Sequence, residues 1–177
     1  VTEFLPVSSS GHLILVSSLT GWQDQGMEID VALHAGTLAA VILYFFKDLK
    51  QMVGAVFLSV GSFLGVSKKP SKEFFSLALK LVIATIPAVI FGALLKKGVS
   101  AEGRLLLRSP LVVASSSIGF GLLLFGAERW RRPSRTLSEL SWGSALIIGL
   151  FQSLAFIPGT SRSGICMTAG RLLSLDR

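Results

Sequence analysis

Thr-Glu-Phe-Leu-Pro-Val-Ser-Ser-Ser-Gly-His stands at residues 2–12 and interrupts an otherwise apolar segment that runs from Val1 to Leu19. Pro6 and Gly11, with three consecutive serines between them, are unsuited to an ordinary lipid-facing helix. Irregular backbone at membrane depth is tolerated only where protein buries it or where it lines a water-filled cavity. The stretch therefore predicts a broken-helix hairpin with a polar interior.

The rest of the chain has the composition of a membrane protein. Its 177 residues are 51% hydrophobic and only 15% charged, whereas soluble domains carry about 25% charged residues. Several apolar runs approach the ~20 residues that cross a ~30 Å hydrocarbon core. We therefore predict an all-α, polytopic membrane helix bundle, with helices over Ile29–Phe46, Met52–Val66, Leu77–Leu95, Leu111–Ala127 and Trp142–Ile157.

Charge and cysteine content narrow the class of function. The formal net charge is +7, but the basic residues cluster between apolar segments, as in topology-setting loops, which argues against nucleic-acid binding. The single cysteine, Cys166, excludes an intramolecular disulfide and offers no cluster of soft metal ligands. Neither feature predicts a partner outside the membrane.

A second interrupted segment is similar to the first. Ala-Phe-Ile-Pro-Gly-Thr-Ser-Arg-Ser at residues 155–163 shares with residues 3–11 a Phe, an aliphatic residue, a Pro and a hydroxylated run. Paired broken segments in two halves of a membrane protein point to a central site at an inverted-repeat interface. We predict one transmembrane domain over residues 1–177 with two re-entrant hairpins: repeat 1 covers about 1–95, and repeat 2 starts at about 111 and is incomplete at its C-terminal end.

The residues of the two breaks suit a phosphate ligand. Small residues let backbone N–H groups converge on an oxyanion, and Arg162 adds a permanent charge with fork geometry. Glu3 and His12 flank the serines, so the groups for acid–base or nucleophilic phosphoryl transfer are close in sequence. Ser9 is the preferred candidate nucleophile, with an activated water as the alternative. The predicted substrate-binding residues are Ser8, Ser10, Gly159, Thr160, Ser161 and Ser163.

Two other ionisable residues have simpler explanations. Asp30 is well placed to cap the helix predicted from Ile29. His34, one turn later, is interpreted as a hydrogen-bonded histidine that faces the bundle. Both are therefore left out of the predicted site.

Three motifs in this order resemble the bacterial undecaprenyl-diphosphate phosphatases linked to bacitracin resistance: residues 2–13, Asp-Val-Ala-Leu-His-Ala-Gly-Thr-Leu at 30–38, and Pro-Gly-Thr-Ser-Arg-Ser-Gly at 158–164. The resemblance implies an acid-anhydride hydrolase of the bacterial inner membrane that converts undecaprenyl diphosphate to undecaprenyl phosphate and phosphate, recycling the lipid carrier of cell-wall synthesis. It also implies a divalent cation, Mg²⁺ or Ca²⁺, with Glu3 as a candidate ligand. The expected partners are the polyprenyl lipid, the membrane and, as an open question, a second copy in a homodimer.

The family's functional residues can be matched to positions in this chain. Its glutamate, serine-rich loop, histidine and phosphate-binding arginine correspond to Glu3, Ser8–Ser10, His12 and Arg162. The family's further acidic residue, upstream of the position of Glu3, would precede Val1, and the family continues through more helices after the second motif. We therefore expect this chain to be incomplete at both ends.

Two alternatives to this function are considered. Ser10-Gly11-His12 is similar to an element of the other membrane lipid phosphatase superfamily, but Phe125 and Thr168 stand where that superfamily needs a Lys and a His. A transporter or flippase of phosphorylated polyprenyl lipids could use the same broken inverted repeats without hydrolysis. A phosphate-release assay separates the enzyme from the transporter.

Overall fold

The computed structural model describes residues 5–9, 12, 19–21, 26–63, 71–100, 103, 106–107, 109–130 and 134–176. Regular structure within these ranges is helical, apart from an isolated bridge between Arg135 and Leu175. The predicted all-α fold is confirmed. The helices are α1 (Gly26–Tyr44), α2 (Phe46–Phe63), α3 (Lys72–Gly98), α4 (Pro110–Trp130), α5 (Trp142–Ser153) and α6 (Arg162–Leu172), with short 3-10 helices at Leu137–Glu139 and Leu154–Phe156.

Helices α3 and α4 have the length and composition of membrane spans. They contain 27 and 21 residues, and about 20 residues are enough to cross a bilayer core. Only 11% of the most apolar 18-residue window of each helix is buried inside the protein, so most of their large apolar side chains face outward. Apolar surface on this scale requires lipid around it. The chain is therefore a multi-pass membrane protein.

Helices α1 and α2 form a bent apolar pair. They are joined through Phe45 and differ in direction by 77°. Together they qualify as one further span, which gives the described part of the chain two or three. Because α2 begins at Phe46, Lys47 and Asp48 lie in its first turn, where the sequence predicted a break between helices.

The start of α1 also differs from the prediction. The helix begins at Gly26 and not at Ile29, so Asp30 lies inside it. The prediction that Asp30 caps this helix is therefore wrong. The sequence misplaced the boundary because Gly26 was assigned to a loop, although glycine is well tolerated at the first positions of a helix.

The chain divides into two compact units. The first is Gln25–Ile83, and the second combines Val1–Asp24 with Ala84–Arg177, so that α3 contributes residues to both. In the first unit, Met52 and Ala55 on α2 are buried. Met52 lines an apolar cavity whose other lining residues come from α2 and the first half of α3.

In the second unit, α6 is the packed centre. Ile165 and Ala169 are almost completely buried, between α4 and α5. Helix α5 is in turn fixed against α3, because a Cβ at Gly149 would collide with the backbone of Ala84. The ring of Phe156 lies 6.2 Å from that of Phe91, measured between ring centroids. The second motif, which joins α5 to α6, is thus held between packed elements.

Candidate active site

The second interrupted segment turns sharply between α5 and α6. Thr160 N–H donates to the carbonyl oxygen of Ile157 at 3.1 Å, which closes a four-residue turn with Pro158 and Gly159 at its centre. Gly159 has a φ of +92°, the left-handed conformation that a type II turn requires at this position and that glycine adopts without strain. The Pro-Gly pair therefore has a direct structural reason: it reverses the chain in front of α6.

Helix α6 begins directly after this turn. Ser161 is its N-cap, with extended backbone and a hydroxyl that accepts the N–H of Gly164 at 3.2 Å. Arg162 is consequently the first residue of a helix, with an exposed side chain, whereas the sequence placed it within an irregular break. The N–H groups of the first turn and the positive end of the helix dipole are at the end of α6 where Arg162 stands. This end of α6 suits an anionic group.

Two serines of α4 bind the turn from the other side. Ser116 Oγ donates to the carbonyl oxygen of Pro158, and Ser117 Oγ donates to that of Gly159 at 2.9 Å. A Cβ at Gly159 would collide with Ser116 Oγ and with the carbonyl oxygen of Val113. In the sequence these serines are small residues within the predicted helix Leu111–Ala127 and belong to neither motif. Each hydrogen bond spans 42 positions along the chain, so it depends on tertiary packing that no local pattern encodes.

Ser8 and His12 form a local unit of the first motif. The backbone N–H of His12 donates to the carbonyl oxygen of Ser8 at 3.1 Å, and His12 Nδ1 lies 2.7 Å from the same oxygen. A carbonyl oxygen can only accept, so Nδ1 carries the proton of this second hydrogen bond. In the neutral ring the lone pair is then on Nε2. That nitrogen is the one able to take a proton from a nucleophile.

The two motifs meet in space. Ser163 Oγ donates to the carbonyl oxygen of Leu5 at 2.9 Å, and a Cβ at Gly164 would lie 3.4 Å from the Cβ of Pro6. The cavity beside these contacts has a volume of about 180 Å³, several times the ~30 Å³ that one water takes in the liquid. Its polar lining comes from both motifs and from α4: Ser8, His12, Ser117, Gly159 and Ser161.

Arg162 lines a neighbouring cavity of about 190 Å³, whose other polar lining residues are Thr85 and Gln152. Ser161 lines the cavity of His12 and is adjacent to Arg162 in sequence, so both cavities reach the same end of α6. Among the residues that the structure describes, the two cavities have no lining residue in common. The described residues therefore do not bring the guanidinium into the cavity of His12.

The remaining predicted site residues have different positions. Glu3 and Ser10 lie outside the described residues. The backbone of Ser9 is helical and the residue is half-buried. Ser8 lines the cavity, whereas Ser9 does not. Thr160 is 6% exposed, and its Oγ1 has no hydrogen-bond partner within the described ranges. The chemical roles assigned to these residues stay predictions.

A family model described as bacitracin resistance protein BacA matches residues 1–177, the whole chain. The chain belongs to the BacA family. The resemblance inferred from the three motifs is thus confirmed.

Two curated relatives of this BacA-family chain are named for an enzyme. Undecaprenyl-diphosphatase 1 of Pseudoalteromonas translucida is 47% identical over 176 residues, which cover 99% of this chain and 62% of the relative. Undecaprenyl-diphosphatase of Saccharophagus degradans is 47% identical over 177 residues, which cover 100% of this chain and 63% of the relative. The chain therefore spans slightly less than two thirds of the length of these relatives.

Gly159→Ala is expected to destabilise the full-length BacA-family protein by about 2 kcal/mol or more, because a side chain at positive φ is strained and its Cβ would collide with α4. Thermal unfolding in detergent micelles, followed by far-UV circular dichroism, measures the effect. Gly119→Ala on α4 is the matched control, since a Cβ there meets nothing within 4 Å. Equal unfolding temperatures for the two variants would contradict the proposed constraint on the turn.

Proposed function

We propose that the complete protein containing this chain hydrolyses undecaprenyl diphosphate to undecaprenyl phosphate and inorganic phosphate. One observation carries the proposal: hydroxyl-rich segments from opposite ends of the sequence share one cavity with an imidazole, through Ser8, His12, Gly159 and Ser161. The names of two relatives at 47% identity support the same substrate. Because the chain spans less than two thirds of those relatives, the activity is proposed for the complete protein.

The reaction follows from the chemistry of the site. The turn and the start of α6 hold the phosphoryl oxygens through backbone N–H groups, while Arg162 neutralises part of their charge from the adjacent cavity. Positioning and charge stabilisation are the main contributions a protein makes to phosphoryl transfer. The prenyl tail stays in the lipid beside the apolar helices.

The bond that breaks joins the terminal phosphorus to the bridging oxygen. A water, or a serine hydroxyl with Ser9 as the proposed nucleophile and Ser8 as the cavity-lining alternative, attacks that phosphorus. His12 Nε2 takes the proton of the nucleophile, with Glu3 as the second candidate base. The bridging oxygen leaves on undecaprenyl phosphate. On the serine route, water then hydrolyses the phosphoserine and releases phosphate.

A divalent cation, Mg²⁺ or Ca²⁺, belongs to the proposal: Glu3 would be its candidate protein ligand, and its charge would offset that of the diphosphate. Within the part of the chain that the structure describes, no group of three or more His, Cys, Asp or Glu side chains is placed to hold an ion. The described residues by themselves do not fit a cation site. The reaction above therefore uses no step through the metal.

The proposal extends to the setting of the site. The two hairpins are taken to re-enter the bacterial inner membrane as an inverted repeat, with the boundaries predicted from the sequence. The contact of Ser163 with Leu5 supports a meeting of the two hairpin tips. A homodimer stays a prediction, and chemical cross-linking in native membranes would test it.

The deciding experiment measures inorganic phosphate released from undecaprenyl diphosphate by the purified full-length protein in detergent. We expect sustained release that depends on His12, so His12→Ala purified in parallel serves as the control for a contaminating phosphatase. Transport of the lipid across vesicles without phosphate release would overturn the enzyme proposal in favour of the transporter.

A further inference from the structure

Three consecutive serines of α4 differ in what they bind. Ser115 is exposed and donates to the carbonyl oxygen of Val112 at 3.1 Å, within its own helix. Ser116 and Ser117 donate to the carbonyl oxygens of Pro158 and Gly159 in the turn before α6, and Ser116 Oγ also lies 3.1 Å from the carbonyl oxygen of Val113 in its own helix. The two inward serines, Ser116 and Ser117, are called the serine pair below.

The position of the serine pair relates it to the cavity of the two motifs. Ser117 lines that cavity together with Gly159 and His12. The missing side chain at Gly159 is what allows the turn to approach α4 closely enough for both hydrogen bonds. The contact is therefore specific to this turn, and general helix packing does not require it.

The chemistry of the contact matters for an anionic ligand. A carbonyl oxygen carries partial negative charge and would repel a diphosphate, whereas the N–H of the same peptide group attracts it. Because the peptide group is planar and trans, its C=O and N–H point in opposite directions. Fixing the carbonyls of Pro158 and Gly159 on α4 therefore holds two repulsive dipoles in place and sets the direction of the N–H of Gly159, while the N–H of Thr160 closes the turn onto Ile157.

We propose that Ser116 and Ser117 are positioning residues that hold the Pro158–Gly159 turn in its phosphate-binding orientation. The identity of the substrate in this proposal rests on the proposed function. The serine pair itself acts through the turn: each hydroxyl orients a carbonyl, and the oriented turn binds the phosphoryl oxygens. Without the pair, the peptide group between Pro158 and Gly159 can rotate its carbonyl toward the cavity, and the carbonyl of Gly159 loses its partner on α4.

Hydrolysis of undecaprenyl diphosphate by the full-length protein provides the first measurement. Ser117→Ala is expected to lower kcat/KM about tenfold and the double Ser116→Ala, Ser117→Ala variant about a hundredfold, with the hundredfold loss divided between a lower kcat and a higher KM, as loss of one and two hydrogen bonds predicts. Ser115→Ala is the matched control and should stay within about twofold of wild type, since surface changes have small effects. Ser117→Thr keeps the hydroxyl and should restore most of the activity.

Binding of inorganic pyrophosphate, measured by isothermal titration calorimetry on the same proteins, separates this proposal from the proposed function. The dissociation constant is expected to rise about tenfold in the double alanine variant and to stay unchanged in Ser115→Ala. Should wild type release no phosphate but show this difference, the proposed function fails and the positioning role stands. Equal pyrophosphate affinities in all variants, or a Ser117→Thr protein as impaired as Ser117→Ala, would overturn the positioning role.

Discussion

Arg162→Ala is expected to reduce phosphate release from undecaprenyl diphosphate by about a thousandfold in the full-length protein, the scale of losing a charged group that stabilises a phosphoryl-transfer transition state. Arg162 is exposed and lies at the first position of α6, beside the N–H groups of its first turn. A guanidinium there can bind two phosphoryl oxygens at once. Removing it leaves the diphosphate charge to the helix end alone.

The other arginine of α6 supplies the control for this variant. Arg171 lies in the last turn of the helix, where its Nη1 donates to the carbonyl oxygen of Leu175 at 3.4 Å. Arg171→Ala should lower the unfolding temperature and leave kcat within about threefold of wild type, because it removes a local contact far along the helix from the turn. Near-normal turnover in Arg162→Ala would remove Arg162 from the mechanism.

The kinetic parameter that changes in Arg162→Ala provides a second test of this prediction. If the guanidinium contacts the phosphoryl group as charge develops, kcat falls. If it holds the diphosphate equally well before and during the reaction, KM rises and kcat stays the same. We expect the loss in kcat, and Arg162→Lys should recover only part of it because a lysine keeps the charge without the fork.

The class of fold could be predicted from the sequence because lipid imposes strong constraints on composition. The apolar runs predicted at Leu77–Leu95 and Leu111–Ala127 correspond to α3 and α4. Helix ends were less predictable: charged residues such as Lys47 and Asp48 resemble a loop in sequence, yet they form the first turn of α2. A charge at the membrane interface is compatible with either structure, so composition alone does not decide between them.

The motifs of the candidate site could be predicted from the sequence, but the contacts between its residues could not. The repeated Pro and hydroxylated residues were enough to indicate that the two interrupted segments are related. In the structure, the hydrogen bond from Ser163 to Leu5 joins these segments. The start of α6 was missed, although Ser161 is of a residue type favoured at helix N-caps, because the helix that follows has little apolar periodicity. The serine pair was missed because its partners are remote in sequence.

His12→Ala is expected to lower kcat by about a thousandfold in the full-length protein, within the range contributed by a general base. The hydrogen bond from Nδ1 to the carbonyl oxygen of Ser8 fixes the ring and leaves the lone pair on Nε2. In catalytic histidines too, a partner on one ring nitrogen orients the other. His12 lines the cavity shared by both motifs, so its loss removes the proposed base from the proposed phosphate site.

The other histidine of the chain provides the control, and a chemical rescue makes the assignment specific. His34 lies on α1 and is exposed, so His34→Ala should keep kcat within about twofold of wild type. Added imidazole should restore part of the activity of His12→Ala, since a small base can occupy the space left by the ring and take the same proton. Full activity without imidazole would transfer the role of base to Glu3. A loss that imidazole does not relieve would instead mean that His12 acts by organising the Ser8 segment, because the variant would then lack the shape of the site as well as the base.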